Sequence, residues 1–201
     1  MYTVIGNPVA RTMRVLWMLE ELGQDYDIIN AAPHSDTVKQ GNPGGKIPVL
    51  HDDEVILTDS VAIVTYLADK HEACTHPAGT PARGKQDAMT QFCVDEVEGA
   101  LWTASKNRFI LPEDARCPEV VPTTLYEFGN AMATLAAHVD GKDFIAGDSF
   151  TVPDLLMGHC AGWAGRAEFP IPEGPAADYM ARMRERPAFA RATARAEEAV
   201  A

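Results

Sequence analysis

Gly44-Gly45-Lys46-Ile47-Pro48-Val49-Leu50-His51-Asp52-Asp53-Glu54-Val55-Ile56-Leu57-Thr58-Asp59-Ser60 is the stretch that decides the fold. It reads as a strand containing a proline, a turn at Asp52-Asp53, a second strand, and an Asp-Ser pair that opens a helix. Proline has no N–H to give to a ladder, so Pro48 belongs at an edge, at a strand's start or in a cis turn. Main-chain groups beside it are left for something other than a neighbouring strand. Asp59-Ser60 precedes Val61, Ala62, Ile63, Val64 and Leu67, a helical run. A helix start holds a carboxylate well, because its first N–H groups lack partners and its dipole is positive there. Free backbone next to an anion cradle suits a peptide-like ligand with a charged end.

Upstream, Tyr2 to Ile5 is a short β-rich run closed by Gly6-Asn7-Pro8. Thr12 to Leu22 then repeats at helical spacing through Val15, Leu16, Met18, Leu19 and Leu22, and Gly23 stops it. Tyr26 to Asn30 is a second strand, far enough on to lie parallel to the first. His34 to Gln40 makes a short irregular helix before the breaker cluster Gly41-Asn42-Pro43-Gly44-Gly45. The order is β-α-β-α-β-β-α, its last two strands antiparallel because only a turn joins them.

Downstream the texture changes. Residues 75–83 contain His76-Pro77-Ala78-Gly79-Thr80-Pro81 and read as a linker between a domain at 1–74 and another at 84–201. Lys85 to Arg108 is a long helical pattern carrying Met89, Phe92, Cys93, Val97, Leu101 and Trp102. Leu111 to Pro122 is a loop, and Leu125 to Val139 is amphipathic. Thr151-Val152-Pro153-Asp154 has the form of a capping box, with Phe150 and Leu155 placed as a staple. Ala176 to Arg186 and Pro187 to Ala199 complete an all-α domain.

Apolar residues make up 46% and charged residues 23% of the 201, an ordinary globular balance. No apolar run approaches the ~20 residues of a membrane span, and Met1-Tyr2-Thr3-Val4 enters a strand without a leader's features, so a cytoplasmic address is expected. Seventeen basic against 29 acidic residues give a net charge of -12, which argues against nucleic acid or an anionic membrane as partner. Cys74, Cys93, Cys117 and Cys160 form no close pair and read as reduced, mostly buried thiols. His71, Cys74 and His76 cluster without a second group of ligands, so they read as a polar linker with a packed thiol, and no metal is expected.

Together these motifs resemble the cytosolic glutathione transferase family over essentially the whole chain. Tyr26 with Asn42-Pro43-Gly44-Gly45-Lys46-Ile47-Pro48-Val49-Leu50 is similar to the family's proline segment, and Thr58-Asp59-Ser60-Val61-Ala62-Ile63 with Tyr66-Leu67 to its following helix start. Thr151 to Asp154 matches the family's capping box, and Met183-Arg184-Glu185-Arg186-Pro187-Ala188-Phe189 its last-helix phrase. The resemblance implies a thioredoxin-like α/β N-terminal domain, an all-α C-terminal domain and a homodimer. It also implies a cis Ile47-Pro48 bond, with the Ile47 backbone pairing to the cysteinyl part of glutathione. Ser60 would hold the γ-glutamyl carboxylate, Asp59 the α-amino group, and Lys46 the glycyl carboxylate. As structural alternatives, Asp59-Ser60 is a plain helix cap and Lys46 an exposed lysine.

A transferase must hold the thiol as thiolate, the nucleophilic form. Lowering a thiol from about 8.5 to about 6.5 requires roughly 2.7 kcal/mol. A hydrogen bond to charged sulfur supplies ~1.5 to 3 kcal/mol and a helix N-terminus ~0.3 to 1. In the family a tyrosine at the end of the first strand, or a serine or cysteine in the next loop, gives that bond. Here Gly6 takes the strand end and Ala10 falls near the serine. Thr12 is the one hydroxyl in the loop, with Asn7 and Arg11 as other donors; Thr12 also suits a helix cap, and Arg14 a surface or ion-pair residue. A small electrophile would lie against Trp102, Arg108 and Phe109, while Trp17 and Trp163 read as core. The expected function is detoxifying glutathione transfer. Disulfide exchange on the same site and a non-catalytic glutathione-binding module are the rivals, the second motivated by Gly6 and Ala10.

Overall fold

The computed structural model describes all residues, Met1–Ala201. It divides into one unit of Met1–Pro77 with Glu185–Ala201 and another of Ala78–Arg184.

The first unit is built on four strands, β1 (Tyr2–Ile5), β2 (Tyr26–Ile29), β3 (Val49–Asp52) and β4 (Val55–Thr58), in the order β2-β1-β3-β4. β1 runs parallel to β2, with Tyr2 opposite Tyr26, and antiparallel to β3, with Ile5 opposite Val49. The helices are α1 (Thr12–Glu21), α2 (Asp36–Gly41) and α3 (Ser60–Lys70). Neighbouring residues of a strand face opposite sides of a sheet. Ile5 and Val49 accordingly join Ala31, Val38 and Ile47 in one apolar cluster, and their neighbours Val4 and Leu50 are fully buried.

The hairpin turns one residue later than the sequence suggests. Asp52 pairs with Val55, so the turn is Asp53-Glu54, with Asp53 at φ 52°. Asp52 stays in the strand because its carboxylate has distant partners, Tyr66 Oη at 2.6 Å and Lys70 Nζ at 2.5 Å, both from α3. Pro48 lies just before β3 rather than inside it, and the Ile47-Pro48 bond is cis.

The second unit begins with α4 (Pro81–Phe92), which runs on through a π segment (Cys93–Glu98), α5 (Gly99–Ser105) and a second π segment (Lys106–Ile110). Thr80 Oγ1 accepts the Arg83 N–H, and Pro81 takes the first turn, where its missing donor costs nothing. α6 (Val121–Val139) starts ahead of its apolar repeat because Pro122 again fits a first turn. α7 (Val152–Arg166) and α8 (Pro175–Arg184) complete the unit. The buried Asp154 carboxylate accepts from the Ile145 and Thr151 amides, the Thr151 hydroxyl and Tyr179 Oη at 2.6–2.9 Å. Burial pushes this carboxyl up from its ordinary value, against the four donors that favour its charge.

α9 (Pro187–Val200) belongs to the first unit, although it continues the helical series of the second. Trp17 of α1 packs against Phe189 with ring centroids 4.7 Å apart, and Arg191 pairs with Glu20 at 2.7 Å. The sequence places this helix in the domain at 84–201; its arginines and the acids of α1 are what draw it back. Of the thiols, Cys93 and Cys160 are buried but Cys117 is exposed. No helix is long and apolar enough to cross a membrane.

Candidate functional site

The site is assembled from the ends of three elements of the first unit. The loop after β1 opens at Gly6, whose φ of 145° few other residues adopt and whose N–H bonds the Ile29 carbonyl. A methyl group at Gly6 would lie 2.6 Å from Thr12 Oγ1 and 2.9 Å from Ile47 Cβ. This explains the glycine where a strand-end hydroxyl is otherwise expected: Thr12 and Ile47 close over the position from both sides.

Thr12 is 0% exposed, and its hydroxyl has no hydrogen-bond partner. It is not the helix cap. The turn from Asn7 feeds directly into α1 through Ala10 N–H to Asn7 O, Met13 N–H to Ala10 O and Arg14 N–H to Arg11 O, so main-chain carbonyls do the capping. Asn7 Oδ1 accepts the Val9 N–H at 3.0 Å, which leaves the carboxamide nitrogen as that side chain's outward donor. Asn7 and Arg11 are both half-buried and retain surface that Thr12 lacks.

The segment before β3 is held open by Asn42. Its Nδ2 donates to Lys46 O at 2.8 Å and its Oδ1 accepts the Gly44 N–H, while Gly45 turns back at φ 67° to receive the His34 N–H. His34 thus serves the turn. Lys46 is exposed. Neither the amide nor the carbonyl of Ile47 is paired within the chain. Unpaired backbone groups at a half-buried residue are uncommon, and they are the groups through which an extended peptide binds.

At the start of α3, Asp59 sits at φ 71°, a strained conformation for a residue with a side chain. Its Oδ1 accepts the amides of Val61 and Ala62 at 2.9 and 3.0 Å. Ser60, nearly buried, keeps its own amide unpaired, and its Oγ accepts from Arg14 Nη1 at 3.2 Å. The burial of Arg14 overturns its reading as a surface residue. The signal was available, since Arg14 lies next to Val15 and one turn before Met18 on the apolar side of α1.

The residues expected to meet an electrophile all lie in the second unit. Trp102 packs edge-to-face on Trp163 at 6.3 Å, with Lys106 Nζ 5.8 Å above its ring. Arg108 donates to the Ala167 carbonyl at 2.6 Å and lies over Phe169, so it has a structural task. Phe109 is 62% exposed. A separate cavity of about 650 Å³, lined by Lys85, Met89, His138, Lys142 and Ile145 among others, contains none of the expected site residues.

The family model for the glutathione S-transferase N-terminal domain matches residues 8–78, which hold the segment before β3 and the start of α3 but begin after β1, Gly6 and Asn7. Glutathione S-transferase theta-1 of Bos taurus is 33% identical over 133 residues, covering 61% of this chain and 53% of the relative, so the match spans about half that relative's length. The theta class glutathione S-transferase of Xanthomonas axonopodis pv. citri, whose structure has glutathione bound, aligns at 26% identity with a TM-score of 0.78, over 95% of this chain and 96% of that one. The fold is also that of glutathione transferase URE2P8 from Phanerochaete chrysosporium, at a TM-score of 0.85 and 18% identity over 99% and 96% of the two chains.

Proposed function

From its likeness to glutathione S-transferases, we propose that the chain belongs to that family, binds glutathione and adds its thiolate to a small electrophile, a detoxifying transfer. The observation that carries the reading is the unpaired backbone of Ile47 beside cis Pro48, at the same end of the sheet as the helix start that bears Ser60. In this assignment Ile47 offers an amide and a carbonyl to the cysteinyl main chain. Ser60 holds the γ-glutamyl carboxylate with its amide and hydroxyl. Asp59 keeps one carboxylate oxygen on its cap and offers the other to the α-amino group. Lys46, on the exposed turn, meets the glycyl carboxylate.

Glutathione supplies the nucleophilic sulfur when bound; the chain's task is to favour its charge. The loop from Asn7 to Thr12 has that role. Thr12 is fully buried, so Asn7 and Arg11 are the donors of the loop with surface to offer. One charge-assisted bond of ~1.5 to 3 kcal/mol with the start of α1 at ~0.3 to 1 covers most of the roughly 2.7 kcal/mol a thiolate at neutral pH requires. Trp102, Arg108 and Phe109 are the proposed contacts for the electrophile. A cytoplasmic homodimer completes the proposal.

The burial of the Thr12 hydroxyl favours a second reading, a module that binds glutathione and turns it over slowly or not at all. Disulfide exchange gains no such support, because the loop holds no cysteine. Retention on immobilised glutathione, followed by an assay with a generic aryl halide, separates the readings. Retention with turnover supports the transferase. Retention without turnover, unchanged in Asn7→Ala and Arg11→Ala, leaves the binding module, and passage through the column sinks both.

A further inference from the structure

Arg14 is 1% exposed, and the atom it presents to Ser60, itself 3% exposed, makes a directional contact. Removing a guanidinium from water so completely is costly unless its hydrogens are used well. A guanidinium can only donate, so at 3.2 Å the Ser60 oxygen must be the acceptor. A hydroxyl carries one hydrogen. With a lone pair engaged by Arg14, that hydrogen turns away from Arg14, and Ser60 becomes a donor toward whatever stands at the head of α3. The amides of Val61 and Ala62 are already taken by Asp59, so the Ser60 amide and hydroxyl are the donors left there.

We propose that Arg14 is the positioning residue for the carboxylate end of this site: it fixes Ser60 as a donor at the head of α3. The chain guanidinium, hydroxyl, carboxylate aligns three dipoles in one sense, so each bond strengthens the next. Arg14 does this without touching the ligand. The inference rests on the glutathione reading of the site and extends it to a residue that reading leaves out.

The test compares two ligands by competition titration: glutathione, and cysteinylglycine, which lacks the γ-glutamyl residue. Arg14→Gln is expected to weaken glutathione about tenfold, the usual worth of a charge-assisted bond, while changing cysteinylglycine less than about twofold. Ser60→Ala is expected to give the same pattern, and the double variant to be little worse than either single one. Equal losses for both ligands, or losses that multiply in the double variant, would overturn the role. If Arg14→Gln does not fold by circular dichroism, Arg14→Lys bears the test, with a loss of about threefold expected for glutathione alone. Wild-type protein that fails to bind glutathione refutes the site itself, whereas wild-type binding with unchanged Arg14 variants refutes only this inference.

Discussion

Arg186 meets Glu21 through two parallel bonds, Nε to Oε1 at 2.6 Å and Nη2 to Oε2 at 2.7 Å, across 165 residues of sequence. Glu21 also accepts from Trp17 Nε1 at 2.9 Å, so one carboxylate ties α9 to the helix that follows the site loop. Arg186→Ala would leave that carboxylate buried with a single donor. The expected cost is about 2 kcal/mol in urea-induced unfolding, and Glu21→Gln should cost less, because it removes charge and keeps shape.

Gly6→Ala tests the closure over the site loop. The new methyl would meet Thr12 and Ile47 inside van der Waals distance at a φ that disfavours it, so a loss of roughly 2 to 3 kcal/mol is expected. Glutathione retention should fall with it, since Ile47 must shift. Adding Thr12→Ala to Gly6→Ala should recover part of the stability, whereas independent effects would simply add.

Asp52 predicts a pH dependence. Its burial alone would raise the carboxyl, but the bonds from Lys70 and Tyr66 outweigh this and hold it below its ordinary value of 3.8. A carboxyl lowered in the folded state binds fewer protons there than in the unfolded chain near that pH, so stability rises with pH. The Asp52 contribution is therefore present in full above about pH 5 and lost as the pH falls below the ordinary value and through the lowered one. Unfolding measured from pH 3 to 7 should show the gap between wild type and Asp52→Asn shrinking toward the acid end. A gap that stays constant would contradict the assignment.

Asp154→Ala removes the acceptor of four donors at once, one of them the hydroxyl of buried Tyr179. Leaving those donors unsatisfied is expected to cost about 3 kcal/mol or more, against about 1 for loss of the single Thr151 hydroxyl bond. Thermal unfolding of Asp154→Ala beside Thr151→Ala would measure the difference, and near-equal losses would refute the extra burden placed on the carboxylate.

The α/β order, the helix starts at Ser60 and Val152 and the break at Pro48 were legible because local chemistry sets them: period, proline and capping acids. The turn at Asp53-Glu54 was not, because Asp52 is kept in its strand by Lys70, 18 residues away. The place of α9 was hidden for the same reason, since Glu20 and Glu21 look like exposed helix acids until Arg191 and Arg186 are brought to them. At the site, the free backbone near Pro48 and the helix start at Asp59-Ser60 could be read from local chemistry and the roles of Ile47, Asp59 and Ser60 came from the family resemblance, but the burial of Thr12 is a matter of packing that spacing does not show. Arg14 was the converse case, a charge on an apolar helix face whose partner lies 46 residues downstream.

Backbone amide NMR during titration with glutathione tests the central claim most directly. Ile47 and Ser60 carry the unpaired amides assigned to the ligand, so their resonances should move together and saturate at one concentration, with smaller shifts at Asn7 and Arg11. Saturable shifts that spare Ile47 and Ser60 and gather elsewhere on the chain would contradict the account.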